Sequence, residues 1–274
     1  MGIVPLWHRD VLESFSAFNL QVEFIEAGAV VCLSFGQRNL VMSLLSPDRV
    51  PDAAGLVLLQ EEYKSKGLYR VHLWEDIWQS RRDQVVGRVG SILGLNKRIH
   101  GRKTNVIKIG QEEADGFLEA HHLQGTAKAK YRFGLHDGKD LVAVAGFSNL
   151  RYMKKGGPEY RSAELIRFAT RSGYTVTGGF TKLLKHFTEL YRPHDVMSYA
   201  DRDWSLGRAY EKAGFVWSEV TPPAEIWLDL VTLRRYFTHR LPVAVFDEGV
   251  AARYVKIFNT GNLKYMLYLQ PANV

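Results

Sequence analysis

The stretch that most constrains the fold is Ser198-Tyr-Ala-Asp-Arg-Asp-Trp-Ser-Leu-Gly-Arg-Ala-Tyr-Glu-Lys-Ala-Gly-Phe215. Residues 196–199 are apolar or β-prone and predict a buried strand, followed by the polar loop Asp201-Arg202-Asp203. Ser205 can cap a helix whose apolar face is Leu206, Ala209, Tyr210 and Ala213. Gly214 then falls where a helix takes its left-handed exit residue, and a second strand starts at Phe215. Strand, short helix and strand in so few residues require helices layered on a sheet, the α/β class.

The same periodicities organise residues 104–231. Residues 104–109 read as a strand, 112–121 as a helix, and 131–136 and 141–147 as a hairpin turning at Asp137-Gly138. A strand at 163–169, a helix at 181–191, the central strand and helix, and strands at 215–219 and 226–230 follow. This β-α-β-β-β-α-β-α-β-β succession predicts a mixed sheet with helices on both faces. Upstream, residues 1–95 predict a separate small α/β unit. It has a helix at 12–18, a hairpin of strands at 21–25 and 29–35, a helix at 56–66, a strand at 68–74, and a helix at 77–93 closed by Gly94. Residues 96–103 read as a basic linker. In the C-terminal extension, 232–274, a basic helix is expected at 233–239 and a hairpin of 253–258 and 263–269 about Thr260-Gly261-Asn262.

With 274 residues, 46% of them apolar, the chain can bury one large core or two modest ones. The single cysteine, Cys32, excludes a disulfide within the chain and any multi-cysteine zinc site, and no metal centre is expected. The first ten residues lack the basic-then-apolar pattern of a signal peptide, and Leu6 departs from the myristoylation pattern. A soluble cytoplasmic protein is the expectation. A net charge of +7 favours a polyanionic partner, because neutralising phosphates releases their counterions. The excess is local: Lys97, Arg98, Arg102 and Lys103 lie in one acid-free stretch, and Lys128, Lys130 and Arg132 in another. Such runs also occur as ordinary solvated faces, but two of them flanking one candidate site point to DNA.

Ala209-Tyr-Glu-Lys-Ala-Gly-Phe215 resembles the "A-x-Y-E-K-x-G-F" signature near the end of the GNAT acyltransferase core. That resemblance implies a GNAT-like mixed sheet, acetyl-CoA or another acyl-CoA as donor, and Tyr210 as the acid that protonates the departing thiolate. Outside that family a tyrosine on the inner face of a helix is a core residue with its hydroxyl bonded. The resemblance places the coenzyme loop after the strand at 163–169, in Gly173-Tyr-Thr-Val-Thr-Gly-Gly-Phe-Thr181. Gly178 and Gly179 permit close backbone approach, Phe180 follows, Thr181 can cap the helix, and Lys182 adds charge. The loop departs from the family spelling in lacking Arg or Gln between Tyr174 and Thr177. A double glycine before a helix is also an ordinary turn.

Two further resemblances concern phage proteins. Residues 63–78 and Ile99-His-Gly-Arg-Lys-Thr104 resemble the end and linker of Vsr-like nuclease domains related to homing endonucleases, a restriction-endonuclease-like fold. Those nucleases carry a metal-binding acid where this chain has Ser34 or a neighbour. Glu23 and Glu26 read as surface residues, Glu62-Tyr63-Lys64 falls in a helical pattern, and Glu75-Asp76 could bind a metal but suits a helix N-terminus. A degenerate, non-cleaving domain is implied. The patches Phe117-Leu-Glu-Ala-His-His-Leu-Gln-Gly125, Glu164-Leu-Ile-Arg-Phe168 and Ser198-Tyr-Ala-Asp-Arg-Asp-Trp204, with the tail residues 254–265, resemble the phage proteins that carry this core behind the Vsr-like unit and, more distantly, Mom-like DNA-modification proteins, from which Arg202 departs by replacing a proline. Base modification in DNA within an infected bacterial host is what that implies.

Acyl transfer to an amine needs a base, a polarised carbonyl and a proton for the leaving thiolate. His121 or His122, at the end of the first core helix, could act as base or bond a flipped base; the helix dipole also favours histidines there. Glu164 and Asp201 are expected at adjoining strand positions with Arg167, as a catalytic cluster or as a buried ion pair. Tyr199 and Trp204 could stack on an extruded base or pack beside the core strand. The sequence therefore predicts an acyl-CoA-dependent transferase acting on DNA bases. A DNA-binding accessory without catalysis and an acyltransferase for a small amine or protein are the alternatives.

Overall fold

The computed structural model describes residues 5–16, 18, 20–27, 30–154, 159–241 and 251–269. In chain order the elements begin with α1 (Leu6–Ser16), β1 (Glu23–Ala27), β2 (Val30–Ser34), β3 (Leu40–Leu45), α2 (Ala53–Ser65), β4 (Tyr69–Trp74) and α3 (Glu75–Leu93). Next are β5 (Lys97–His100), β6 (Asn105–Lys108), α4 (Gln111–His121), β7 (Tyr131–Asp137), β8 (Asp140–Phe147), β9 (Arg151–Tyr152) and β10 (Arg161–Thr170). Then come β11 (Tyr174–Thr177), α5 (Gly179–Tyr191), β12 (Asp195–Asp201), α6 (Arg208–Lys212) and β13 (Val216–Val220). The chain closes with β14 (Ala224–Asp229), β15 (Arg235–Phe237), β16 (Tyr254–Asn259) and β17 (Asn262–Tyr268). These form two units that exchange segments. One is drawn from Met1–Arg82, Asp201–Leu206 and Val220–Asn262, the other from Asp83–Ala200, Gly207–Glu219 and Leu263–Val274.

In the first unit β1, β2 and β3 run antiparallel, and β4 adds in parallel to β3. Every residue of β3 (LVMSLL) is buried, so the strand shows no alternation and is not recognised from sequence. One face of this sheet, with Cys32, Val41, Leu45 and Trp74, packs on Leu56 of α2 and on Ile226, Leu228 and Ile257. The last three belong to a three-stranded sheet ordered β15-β14-β16. Asp52 starts α2 by accepting the Gly55 N–H at 2.8 Å. Ala29, the expected start of the second hairpin arm, lies outside the described residues.

The tail corrects three expectations. Instead of a basic helix at 233–239 there are β15 and a 3-10 turn at Thr238–Arg240, and Leu233 holds a left-handed φ of 56° that no right-handed helix includes. Residues 253–258 and 263–269 do not form a hairpin: β16 pairs with β14, whereas β17 lies between β13 and β12 in the other unit. The strand expected at 226–230 to close the core sheet is β14 of the first unit.

The second unit is the mixed sheet that the sequence predicts, ordered β13-β17-β12-β10-β8-β7-β6 with β9 beside β10. Its succession β6-α4-β7-β8-β10-α5-β12-α6-β13 is the one implied by the GNAT resemblance, with β17 supplying the final strand. Alternation along β8 sends Ala143, Ala145 and Phe147 to one face and Val144 to the other. On the first face α5 inserts Leu183, Leu184 and Phe187, whose ring stacks on Phe147 at 3.9 Å. On the second, α4 inserts Ala114, Phe117 and Leu118. The β7–β8 turn consists of Gly138 and Lys139, since Asp137 is already registered with Asp140 and the positive φ falls on Gly138.

His72, only 1% exposed in β4, has its pKa pushed down to about 3 by burial, with the Arg70 guanidinium acting in the same direction. A pKa lower in the folded than in the unfolded state means the unfolded chain takes up the proton first as pH falls below about 6.5. Stability should therefore drop from pH 6.5 to 4 with a contribution from this residue near 1.4 kcal/mol per pH unit. Denaturant titrations across that range should show a shallower decline for His72→Leu; an unchanged slope would remove His72 from the acid response.

Candidate active site

The site grows from the place where two neighbouring strands stop pairing. Parallel register between β10 and β12 runs from Ser162↔Asp195 to Leu165↔Ser198 and ends there, although β10 continues to Thr170 and β12 to Asp201. At the same point β10 slips against β8, between Leu165 and Arg167. A bulge bends its strand, so it supplies the local reason for the divergence. Beyond Leu165 and Ser198 the two strands no longer satisfy each other's backbone groups, and an extended ligand with amides of its own can pair there.

Tyr210 stands at this divergence. Its hydroxyl is 3.2 Å from Ser198 Oγ and 3.5 Å from the Tyr199 carbonyl oxygen, and Ser198 Oγ is also 2.9 Å from the Leu165 carbonyl. The phenol has its pKa raised, first by burial, while the Ser198 hydrogen bond and the Arg88 and Arg167 charges pull the other way. Near neutral pH it holds its proton. Ser198 has one hydroxyl hydrogen to give, to the Leu165 carbonyl or to the phenolic oxygen; in the second arrangement the Tyr210 proton, which makes only the long bond to the Tyr199 carbonyl, can turn to a ligand and the phenolate left behind is stabilised.

The ring of Tyr210 is fixed by neighbours rather than by its short helix. Tyr265 of β17 stacks on it at 5.2 Å, and Phe180 and Phe215 meet it edge-on at 5.5 Å. Tyr265 in turn donates to Glu211 Oε1 at 3.0 Å, and its own pKa is pushed up to about 12 by burial and that bond. The N-cap of α6 is Gly207, not Ser205, with φ of 77°. A side chain there is excluded, because an added Cβ would lie 1.8 Å from the Tyr265 hydroxyl.

The start of α5 lies beside this group. Gly178 caps the helix with a left-handed φ of 75°, so Thr181, third in the helix and exposed, does not cap it. Gly179 is buried, and an added Cβ would meet Val176 at 2.7 Å and Leu135 at 3.0 Å. Phe180 bridges Phe168 of β10, at 5.0 Å, to Tyr210. Lys182 does not face the helix start as a loose cation: its ammonium donates to the carbonyls of Gly101, at 3.0 Å, and Thr104.

Those carbonyls belong to the stretch expected as a linker. Lys97–His100 is β5, paired in parallel with β11 so that Lys97 is registered with Tyr174 and His100 with Thr177. The following turn closes on the start of α5, where a Cβ on Gly101 would lie 2.9 Å from Thr177 O and 3.0 Å from Gly179 N. Lys97, Arg98, Arg102 and Lys103 are all exposed along this run. The pairing thus sets Lys97 and Arg98 beside Tyr174 and Thr175, and the turn that follows carries Arg102 and Lys103 next to the start of α5, where the helix dipole is positive and the first N–H groups have no intrahelical acceptor.

Other expected residues have structural duties. The Nδ1 atoms of His121 and His122 accept backbone N–H groups, from Ser172 at 3.3 Å and Gln124 at 3.0 Å. That tautomer carries its hydrogen on Nε2, so each ring is a donor and not a base. Burial, then the Arg171 charge, lowers the pKa of His121 and keeps it neutral. Asp201 Oδ1 accepts the Asp203 N–H at 3.0 Å and shapes the loop after β12. Register sets Glu164 opposite Met197, not beside Asp201, and Arg167 lies past the bulge, bonded to the Ile166 carbonyl. The Glu164 carboxylate, half-buried, forms no hydrogen bond or ion pair among the described residues. Lys128 and Lys130 are exposed, but Arg132 is tied to Gln111 Oε1 and the Ala129 carbonyl. Trp204 is 8% exposed and cannot stack on a base; the exposed aromatic of that stretch is Tyr199. Ser198 and Tyr265 are the contributors that sequence reasoning missed. Ser198 sits in the anchoring stretch itself, but Tyr265 gives no local signal.

In the first unit the acidic start of α3 is committed, with Asp76 receiving both arms of Arg235 at 2.7 and 2.8 Å. Glu62 lies in α2 and pairs with Lys66. Among the described residues no group of three or more His, Cys, Asp or Glu could hold a metal, and no helix is long and apolar enough to cross a membrane.

No family model matches the chain, and no curated protein matches it by sequence. Solved structures overlap it at low identity. An IAA acetyltransferase from Bacillus cereus is 15% identical over 61% of this chain and 99% of its own, with a TM-score of 0.37. A Bacillus subtilis acetyltransferase in complex with CoA is 13% identical over 61% and 100%, TM-score 0.37. A GNAT family acetyltransferase from Elizabethkingia anophelis with acetyl-CoA bound is 12% identical over 61% and 99%, TM-score 0.35.

Gly207→Ala should disturb the aromatic stack more than the helix it caps, because both its φ and the Tyr265 hydroxyl oppose a methyl group. A loss of about 1–3 kcal/mol in unfolding free energy, with altered near-UV dichroism, is expected. A variant as stable as the parent, with an unchanged aromatic spectrum, would contradict this packing.

Proposed function

We propose that the second unit is an acyl-CoA-dependent N-acyltransferase, with a donor of the acetyl type, and that its acceptor is an amino group of a base in DNA. The observation that carries the acyl-transfer part is the Tyr210 phenol at the end of the β10–β12 ladder, protonated and backed by Ser198. The residues present suit an elongated, amide-bearing, phosphate-bearing donor. The unpaired strand edges can meet amides, and the start of α5 with Arg102 and Lys103 can meet phosphates. Lys182 is left out of that set by its bonds to the 101–104 turn. The donor, when bound, supplies an activated thioester carbonyl.

The protein side of the reaction balances as two proton transfers. Glu164 takes the proton from the attacking amine as its nitrogen bonds to the acyl carbon. Tyr210 gives its proton to the sulfur as the carbon–sulfur bond breaks, and both residues reset through solvent. His121 and His122, through Nε2, bond acceptor atoms of the incoming base. An exocyclic base amine is a weak nucleophile, so orientation must contribute heavily. The exposed cations of β5, with Lys128 and Lys130, favour a nucleic-acid acceptor over a small amine or a protein. We read the first unit as a nuclease-like domain that contacts DNA without cutting it, and the protein as acting in the cytoplasm of a phage-infected bacterium. DNA binding without catalysis is the second reading; it is favoured by the bonds that occupy His121, His122 and Lys182.

Calorimetric titration with acetyl-CoA and nucleoside mass spectrometry of DNA co-expressed with the protein test this reading. Binding together with a new nucleoside mass is expected. Tyr210→Phe should keep both coenzyme and DNA affinity but lower turnover about 10²–10⁴-fold, as loss of a general acid does. An absence of coenzyme binding would sink the acyltransferase reading. Wild-type turnover in the Phe variant would remove Tyr210 from the chemistry.

A further inference from the structure

β13 is the outer strand of the eight-stranded sheet, and all five of its residues, Val-Trp-Ser-Glu-Val, are exposed. Among the described residues no strand pairs with its free edge. Val216 is 59% exposed, Trp217 53% and Val220 42%, a concentration of β-prone apolar surface on a strand with unpaired backbone groups. Natural sheets blunt such edges with lysine, proline, bulges or unpaired charges. The opposite edge of this sheet is blunted in part, since β6 exposes Asn105 and Lys108 on either side of its one exposed apolar residue, Ile107. So is β1 at the edge of the first unit's sheet, with Glu23 and Glu26. β13 is not: its single charge, Glu219, is already bonded to Lys264 of the adjacent β17 at 2.8 Å.

We propose that this edge docks a second copy of the same chain, antiparallel and centred on Ser218. The argument is the strand's self-complementarity. Turned about Ser218, the strand sets Val216 opposite the partner's Val220, Ser218 opposite the partner's Ser218, and Trp217 opposite the partner's Glu219. The two valine pairs share one face, because alternate residues do, and cross-strand β-branched pairs are favourable. On the other face each indole lies over the stem of a glutamate whose charge is compensated by its own Lys264. Every exposed apolar residue of the strand gains a partner, and no like charges meet. The register is limited at one end by Gly214, with φ of 89°, and at the other by Pro222 and Pro223, which have no N–H to continue a ladder. A two-fold pairing of this kind is closed and stops at the dimer.

The test uses the full chain with one cysteine added. Opposed Cα atoms in an antiparallel pair are about 4.5–5.5 Å apart, within disulfide reach, whereas the two copies of residue 216 are offset by about four residues, or roughly 13 Å. Mild oxidation should therefore cross-link Ser218→Cys into a covalent dimer and leave Val216→Cys monomeric on a non-reducing gel. Cys32 is buried, and the parent protein under the same oxidant is the control. In sedimentation the parent should be a dimer at tens of micromolar. Trp217→Glu, which opposes two carboxylates, should weaken association at least about tenfold without lowering the unfolding temperature. A monomeric parent, equal cross-linking at 216 and 218, or an undiminished Trp217→Glu dimer would overturn the proposal.

Discussion

Parallel strands hold together only as far as their hydrogen-bond ladder runs, and between β10 and β12 it runs for four registered pairs before the bulge in β10 ends it. The other features of the site depend on that limit. The ladder brings Leu165 and Ser198 level, so that the serine hydroxyl can reach both the Leu165 carbonyl and the phenol of α6. Past the last pair the strands part, and the start of α5 and the aromatic group of Phe180, Tyr210, Phe215 and Tyr265 gather beside the gap. A longer ladder would satisfy the same backbone groups internally and leave Tyr210 as a packed core residue.

Much of the second unit was legible because its elements obey simple periods. The β7–β8 hairpin and the helices α4 and α5 fall within two residues of their expected bounds. The elements that escaped have physical reasons. β3 is buried at every position and so lacks the alternation that marks a half-exposed strand. β5 and β11 are four-residue strands, and the first is rich in lysine and arginine, so neither shows a period long enough to read. β14 and β17 were found as strands but assigned to the wrong partners. Local pattern reports that a segment is extended, not which sheet it joins.

The site was legible in the same uneven way. Tyr210, Gly178 and Gly179 announce themselves through spacing and turn chemistry. The roles of His121 and Lys182 could not be read, because what occupies them is a hydrogen bond to backbone far along the chain, and Arg132 is held by the Gln111 side chain, 21 positions away. Trp204 illustrates the same limit for burial: the residue before it, Asp203, accepts from the N–H and hydroxyl of Thr260, a partner 57 positions away. The basic run at 97–103 was noticed for its charge alone. Its place in the fold comes from strand pairing with β11, which brings the turn that carries Arg102 and Lys103 beside a helix start.

The chain's path between β13 and β17 has an implication for assembly. β17 is an inner strand, flanked by β13 and β12, yet it is separated from β13 in sequence by the entire three-stranded sheet of the first unit. As the chain leaves the ribosome, the large sheet therefore keeps an open slot, beside Tyr210, through more than 40 residues of synthesis that build the other unit. Tyr210 receives its stacking partner, Tyr265, only when that slot is filled. Completion of the aromatic group therefore waits for β17, and a nascent chain that has made every residue of α6 still lacks the surface that orients its phenol.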